Sequence, residues 1–182
     1  KANSNKSISD KMRKSLFIVG NSMLKHVQGW EITNALKNDQ NVYVRTYNSA
    51  TVRCMEDHVK PCIRKYDPRH IIVHVGTNEV SSEKTSEEIA SSIIELGKEI
   101  ESNHRRISIS SIIPRNDKYK SIATEVNEVL NSLCEKVGYD FIDHTQKIDV
   151  KKDLNGGKLH LNTIGSVKLR KIFTNYIPYC LP

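Results

Sequence analysis

The chain has little that would staple it, repeat it or hold it in a bilayer. Its four cysteines, Cys54, Cys62, Cys134 and Cys180, form no Cys-x-x-Cys pair and no dense framework. That excludes a disulfide-built scaffold and predicts free thiols in a reducing, intracellular and cytoplasmic setting. No apolar run approaches the length of a membrane span. There is no internal repeat, no low-complexity tract and no secretory signal at the polar N-terminus. Aromatic residues make up only 6%, with a single tryptophan, Trp30, which is expected to pack. Acid is the scarcer charge, 21 Asp and Glu against 28 Lys and Arg, for a net charge of +7. This excess bears on partners rather than fold. It suits nucleic acid on a basic surface or simply a solvated exterior, because the basic residues are scattered, with local clusters over 1–14 and 147–158. The chain does not begin with methionine, so it is expected to be a piece of a longer protein.

What is present is a regular alternation. At 182 residues and 37% hydrophobic content, the chain fits one domain with a real core. Residues 1–14 read as a flexible basic arm, and 15–182 as the domain. Four apolar residues at 16–19 predict a buried strand, followed by Gly20 at a tight turn and a short helix around 23–27. Residues 41–47 alternate with period two and predict a second strand. Residues 51–66 have helical spacing, with Pro61 expected to distort them. A third strand over 71–75 ends in Gly76-Thr77-Asn78-Glu79. Thr85 and Glu88 form a capping box for a helix to about Glu101. Residues 107–113 predict strand four, and 119–137 carry the clearest apolar stripe, closed by Gly138. A fifth strand begins at Phe141–Ile142. After a Lys-, Asn- and Gly-rich loop over 151–158, a last helix covers 165–177. Strands alternating with helices predict a three-layer α/β/α sandwich with a five-stranded parallel sheet in flavodoxin-like order.

Such sheets place their chemistry at the C-terminal ends of their strands. Ser22 falls there, after the first strand, where two jobs suit it. It fits a helix N-cap, and it fits an attacking oxygen beside free backbone N–H groups. Acyl transfer needs a nucleophile, a base and donors for the oxyanion. Ser22, His160 and the Asn78 amide are residues of the right kinds, though composition does not select them. Other clusters compete. Cys54, His58 and Cys62 are spaced to share a helix face but offer three ligands where structural zinc takes four, and buried packing is the simpler reading. His74 lies inside a strand and is expected to face the core or a neighbouring strand. Arg115 and Asn116 follow strand four and suit either a substrate mouth or a helix-start loop capped by Asp117.

The stretches Ile-Val-Gly-Asn-Ser, Asn48-Ser49-Ala50, Val75-Gly76-Thr77-Asn78-Glu79 and Leu159-His160-Leu161-Asn162, in that order, resemble the blocks of the SGNH hydrolase superfamily, the GDSL-like esterases. The resemblance implies Ser22 as nucleophile and His160 as general base. It implies an oxyanion site made of the Ser22 and Ser49 amides and the Asn78 side chain; Asn21, Glu79, Arg115 and Asn116, by their places after the strands, are expected to line the substrate. It implies acyl-ester substrates, lipids included, and no metal or organic cofactor. Asn21 replaces the usual aspartate of the first block, Ser49 a glycine of the second, and Glu79 an aspartate of the third. Gly157 stands where the family places the aspartate that orients the histidine, leaving a Ser22–His160 dyad. A backbone carbonyl, Asp153 or Asn155 is then expected to hold the ring. A narrower resemblance, carried also by Lys25-His26-Val27, Gly29-Trp30 and Pro114-Arg115-Asn116-Asp117-Lys118, is to the esterase-like domain in the first open-reading-frame protein of non-LTR retrotransposons. It implies a larger RNA-binding protein that self-associates through parts outside this chain. On that side the domain is expected to bind RNA or a protein rather than catalyse.

Overall fold

The computed structural model describes residues 15–36, 40–157 and 159–179. The expected basic arm, Lys158 and Cys180 lie outside the described residues. Five strands, β1 (Leu16–Gly20), β2 (Val42–Thr46), β3 (His70–His74), β4 (Arg106–Ser110) and β5 (Asp140–Ile142), alternate with helices. The helices are α1 (Gly29–Leu36), α2 (Val52–Tyr66), α3 (Ser86–Ile100), α4 (Lys120–Val137) and α5 (Thr163–Tyr176). Every strand pair is parallel, and the order is β2-β1-β3-β4-β5, as expected for a flavodoxin-like sheet.

A parallel sheet must be covered on both faces, and the strands read accordingly. β1 and β3 are buried at every position. Phe17, Val19, Ile71 and Val73 face a core closed by α2, α3 and α4, where Met55, Ile89, Ile93, Val126 and Leu130 are buried. Leu16, Ile18 and Ile72 face the opposite core, closed by α1 and α5 through Ile32, Leu169, Ile172 and Phe173. Each fully buried large side chain contributes about 1.5–3 kcal/mol, so the central strands anchor everything at their C-terminal ends.

The structure differs from the sequence reading in four places. The short helix expected around 23–27 is a 3-10 turn, Ser22–Leu24, and the unforeseen helix is α1. α1 buries only Ile32, too little to write an apolar stripe. Trp30, two residues from Ile32 and so on the opposite side of the helix, is 65% exposed rather than packed. α2 runs through Pro61 without a break. Pro61 and Asp57 are both exposed, so the carbonyl that loses its partner faces water. Asp117 does not cap α4. The N-cap is Tyr119, whose N–H donates to Asp117 Oδ1 at 3.1 Å. By contrast, Thr85 and Glu88 form the expected capping box, and Gly138 closes α4 at φ 77°.

Candidate active site

Three loops converge at the C-terminal edge of β2, β1 and β3. Gly20 ends β1 so close to the His74 carbonyl that a Cβ would collide with it. Asn21 then extends, its N–H reaching the His74 carbonyl at 3.4 Å. Its Oδ1 accepts from Met23 N–H at 3.2 Å and caps the 3-10 turn. The capping job is thus taken by Asn21 and not by Ser22. The Ser22 hydroxyl is half-buried and has no hydrogen-bond partner among the described residues.

The loop after β2 is tied to this one. Tyr47 N–H donates to the Gly20 carbonyl at 2.9 Å, and Ala50 N–H returns to Tyr47 at 3.2 Å. Between them Ser49 sits at φ 58°, in the left-handed region that glycine occupies cheaply. The loop after β3 locks onto the same segment. Asn78 Nδ2 donates to the Ala50 carbonyl at 2.9 Å, and Glu79 Oε1 accepts Val52 N–H at 2.6 Å. Glu79 is buried and serves the start of α2, where a carboxylate is favoured. It does not line an open mouth.

A carboxamide nitrogen carries two donors, and one from Asn78 is left over. The backbone N–H groups of Ser22 and Ser49 also meet no acceptor among the described residues. An unpartnered hydroxyl therefore shares one sheet edge with three unspent donors, the equipment of acyl transfer.

Arg115 is buried, contrary to the expected lining role. Its Nη1 donates to the Thr77 carbonyl at 3.0 Å, its Nε and Nη2 to the two Asp117 oxygens at 3.0 and 2.5 Å. Asn116 is exposed. His160 comes from a separate hairpin ahead of α5. Leu154 bridges Leu161, Asn155 N–H donates to the His160 carbonyl at 2.8 Å, and Asn162 N–H to the Asp153 carbonyl at 2.8 Å. Leu159 and Leu161 join the apolar core that also holds Met23 and Leu24, while His160 between them is exposed. The hairpin and the turn that carries Ser22 thus contribute to the same apolar core, but no hydrogen bond joins the His160 ring to the Ser22 hydroxyl.

A profile of the GDSL-like lipase/acylhydrolase family matches residues 4–169. The chain belongs to the GDSL-like lipase/acylhydrolase family. Its fold is similar to several solved structures. A lipolytic protein of the G-D-S-L family from Veillonella parvula superposes with a TM-score of 0.74 at 17% identity, over 88% of this chain and 96% of that one. A GDSL-like lipase from Bacteroides thetaiotaomicron gives 0.77 at 13% identity, over 99% and 98%. An acetylxylan esterase from Geobacillus stearothermophilus gives 0.72 at 14% identity, over 88% and 92%. None of the curated protein sequences compared with the chain matches it.

From the sequence, no orienting aspartate is expected behind His160, because Gly157 stands at that place. The residues expected to hold the histidine ring in its absence are engaged elsewhere. Asp153 is fully buried, and its Oδ2 accepts from Lys168 Nζ and Asp149 N–H, each at 2.7 Å. Asn155 Oδ1 accepts Gly157 N–H at 3.1 Å. No carboxylate pairs with the His160 ring among the described residues. Three other histidines are unsuited to base catalysis. Burial pushes His70 down to about 4 and His74 and His144 to about 3. His74 does face a neighbouring strand as expected, its Nδ1 lying 2.9 Å from Ser110 Oγ. Of the Cys54, His58 and Cys62 group, the Tyr47 ring stacks on His58 at 4.3 Å and its hydroxyl lies 3.4 Å from Cys62 Sγ, while Cys54 is exposed. Sequence reasoning missed the Ala50 carbonyl that orients Asn78 and the Thr77 carbonyl that Arg115 grips. Backbone acceptors leave no mark on a residue string.

Proposed function

We propose that this GDSL-like protein is a serine esterase acting on carboxylic (acyl) esters. Ser22 Oγ attacks the acyl carbon while His160 takes its proton. The tetrahedral oxyanion accepts from the N–H groups of Ser22 and Ser49 and from Asn78 Nδ2. Collapse expels the alkoxide, which His160 protonates, and water then releases the acid by the same steps in reverse. This chemistry calls for no metal or organic cofactor, and the named activities of the structural relatives, lipase and acetylxylan esterase, support an acyl ester, lipids included. The observation that carries the reading is the unpartnered Ser22 hydroxyl at the edge where Asn78 is oriented by the Ala50 carbonyl.

The test is a short-chain p-nitrophenyl ester together with a fluorophosphonate probe. The wild type is expected to turn over the ester and take the label, and Ser22→Ala to lose both. Equal turnover by the two proteins would refute the role of Ser22.

One observation favours a second reading. With no partner holding the His160 ring among the described residues, the fold would serve as a binding module for RNA, in keeping with the net charge of +7 and a retrotransposon-type parent. That reading expects no label on Ser22 and an affinity for single-stranded RNA that falls steeply with salt.

A further inference from the structure

We infer that Arg115 and Asp117 form an internal strut that positions the Asn78 amide by gripping the Thr77 carbonyl. The inference rests on the esterase reading for its catalytic consequence, but the strut itself stands on geometry. The turn from β3 into Asn78 begins at Gly76, whose φ is +112°. A Cβ there would press on Ile93 and Ile112 at 2.8 and 2.9 Å, so the most compliant residue type sits just upstream of the proposed oxyanion donor. Such a turn needs an outside hold. Arg115 supplies it from the loop that follows β4, the strand beside β3. The peptide plane it grips, through Nη1 at 3.0 Å, is the plane that joins Thr77 to Asn78. Fixing that plane fixes the direction from which the Asn78 side chain departs. The Ala50 carbonyl holds the other end of the same side chain.

Arg115 is itself immobilised. Asp117 takes two of its N–H groups in a fork, a planar match that lysine does not reproduce. The Tyr119 ring lies 5.2 Å from the guanidinium carbon, and Tyr119 N–H anchors Asp117. The Arg115 side chain is only 5% exposed, so its donors are spent inside the protein and not on a substrate. The guanidinium in turn holds the Asp117 carboxyl below the usual carboxylate range. Arg115 is on this account a positioning residue that acts through Asn78.

The experiment uses the whole chain and two readouts. Arg115→Gln, Arg115→Lys and Asp117→Asn are made in the wild type and on an Asn78→Ala background. Kinetics with p-nitrophenyl acetate should show kcat lowered roughly 10- to 100-fold in Arg115→Gln, since a small misplacement of a catalytic group costs up to about that much. KM should stay within about twofold, Arg115→Lys should recover little, and Asp117→Asn should move the same way to a smaller extent. On the Asn78→Ala background the same changes should be nearly silent. The second readout is the Asn78 side-chain amide pair in nitrogen-15 spectra, assigned by its loss in Asn78→Ala. It should shift and broaden in Arg115→Gln. If Arg115→Gln does not fold, Asp117→Asn carries both readouts. An unmoved Asn78 amide, or kinetic effects that multiply in full on Asn78→Ala, would overturn the strut. A wild type without turnover would sink the esterase reading alone, because the amide resonances still decide the strut.

Discussion

No carboxylate pairs with the imidazole of His160 among the described residues, so the proposed chemistry works without one. In serine hydrolases the carboxylate behind the histidine fixes its tautomer and stabilises its charged form, and disabling it costs about four orders of magnitude in rate. Gly157 is exposed, and a Cβ there would meet only the Asn155 amide oxygen at 3.3 Å, so a side chain fits. Gly157→Asp is therefore expected to raise kcat for a p-nitrophenyl ester at least tenfold, about 1.4 kcal/mol of barrier. Unchanged kcat with intact folding would show that a carboxylate at 157 does not reach the ring. The residue scale is also where the sequence is hardest to read. Ser22 and Asn78 are visible because each lies in the loop that follows a buried apolar strand. The engagement of Asp153 by Lys168 and of Asn155 by Gly157 is not, since both acids and amides look equally available in a loop.

At the scale of elements, α5 and the hairpin before it are one device. Asn162 caps α5 through Gly165 N–H at 3.0 Å and also donates to the carbonyls of Lys152 and Leu154 at 2.7 and 3.2 Å. A single side chain thus ties the helix start to the first limb of the hairpin that presents His160. Asn162→Ala is expected to cost about 2 kcal/mol of stability, a cap plus lost hydrogen bonds, and to lower kcat/KM about tenfold. Thr85→Ala removes the cap of α3 instead, should cost about 1 kcal/mol, and should leave turnover alone. Urea denaturation and ester kinetics on both proteins check the contrast; an Asn162→Ala protein that loses stability but keeps full turnover would uncouple the hairpin from the chemistry. The strands and most helices were legible because burial on both faces forces continuous apolar runs and helical stripes. α1 was not, because Ile32 alone is buried there, and one residue has no period.

For the whole molecule, the buried imidazoles set the response to acid. His74 and His144 lie with ring centres 5.6 Å apart, fully buried, and both nitrogens of His144 lack a partner among the described residues. Their values of about 3, and about 4 for His70, lie below the ordinary 6.5 that the unfolded chain recovers. The unfolded state therefore binds more protons between those limits. The stability these groups contribute is complete above about pH 6.5 and is lost as pH falls toward 4 for His70 and toward 3 for His74 and His144. Each adds up to about 1.4 kcal/mol per pH unit. His144→Leu, close in volume and removing unpaired nitrogens, should cost less than about 1.5 kcal/mol at pH 7. It should also flatten the acid dependence by about one proton. Urea midpoints between pH 4.5 and 7.5 give both quantities, and a slope equal to wild type would exclude His144 as an acid-sensitive site. None of this was readable from seven histidines in a string, because it depends on which strands the sheet sets side by side.

The exposed indole of Trp30 has a practical consequence. A chromophore that already sits in water when the chain is folded keeps nearly the same surroundings when the chain unfolds. Tryptophan emission is thus a poor reporter of melting in this protein, whereas iodide should quench it strongly even in the native state. Trp30 is better used as a built-in sensor for anything that settles on the outer side of α1.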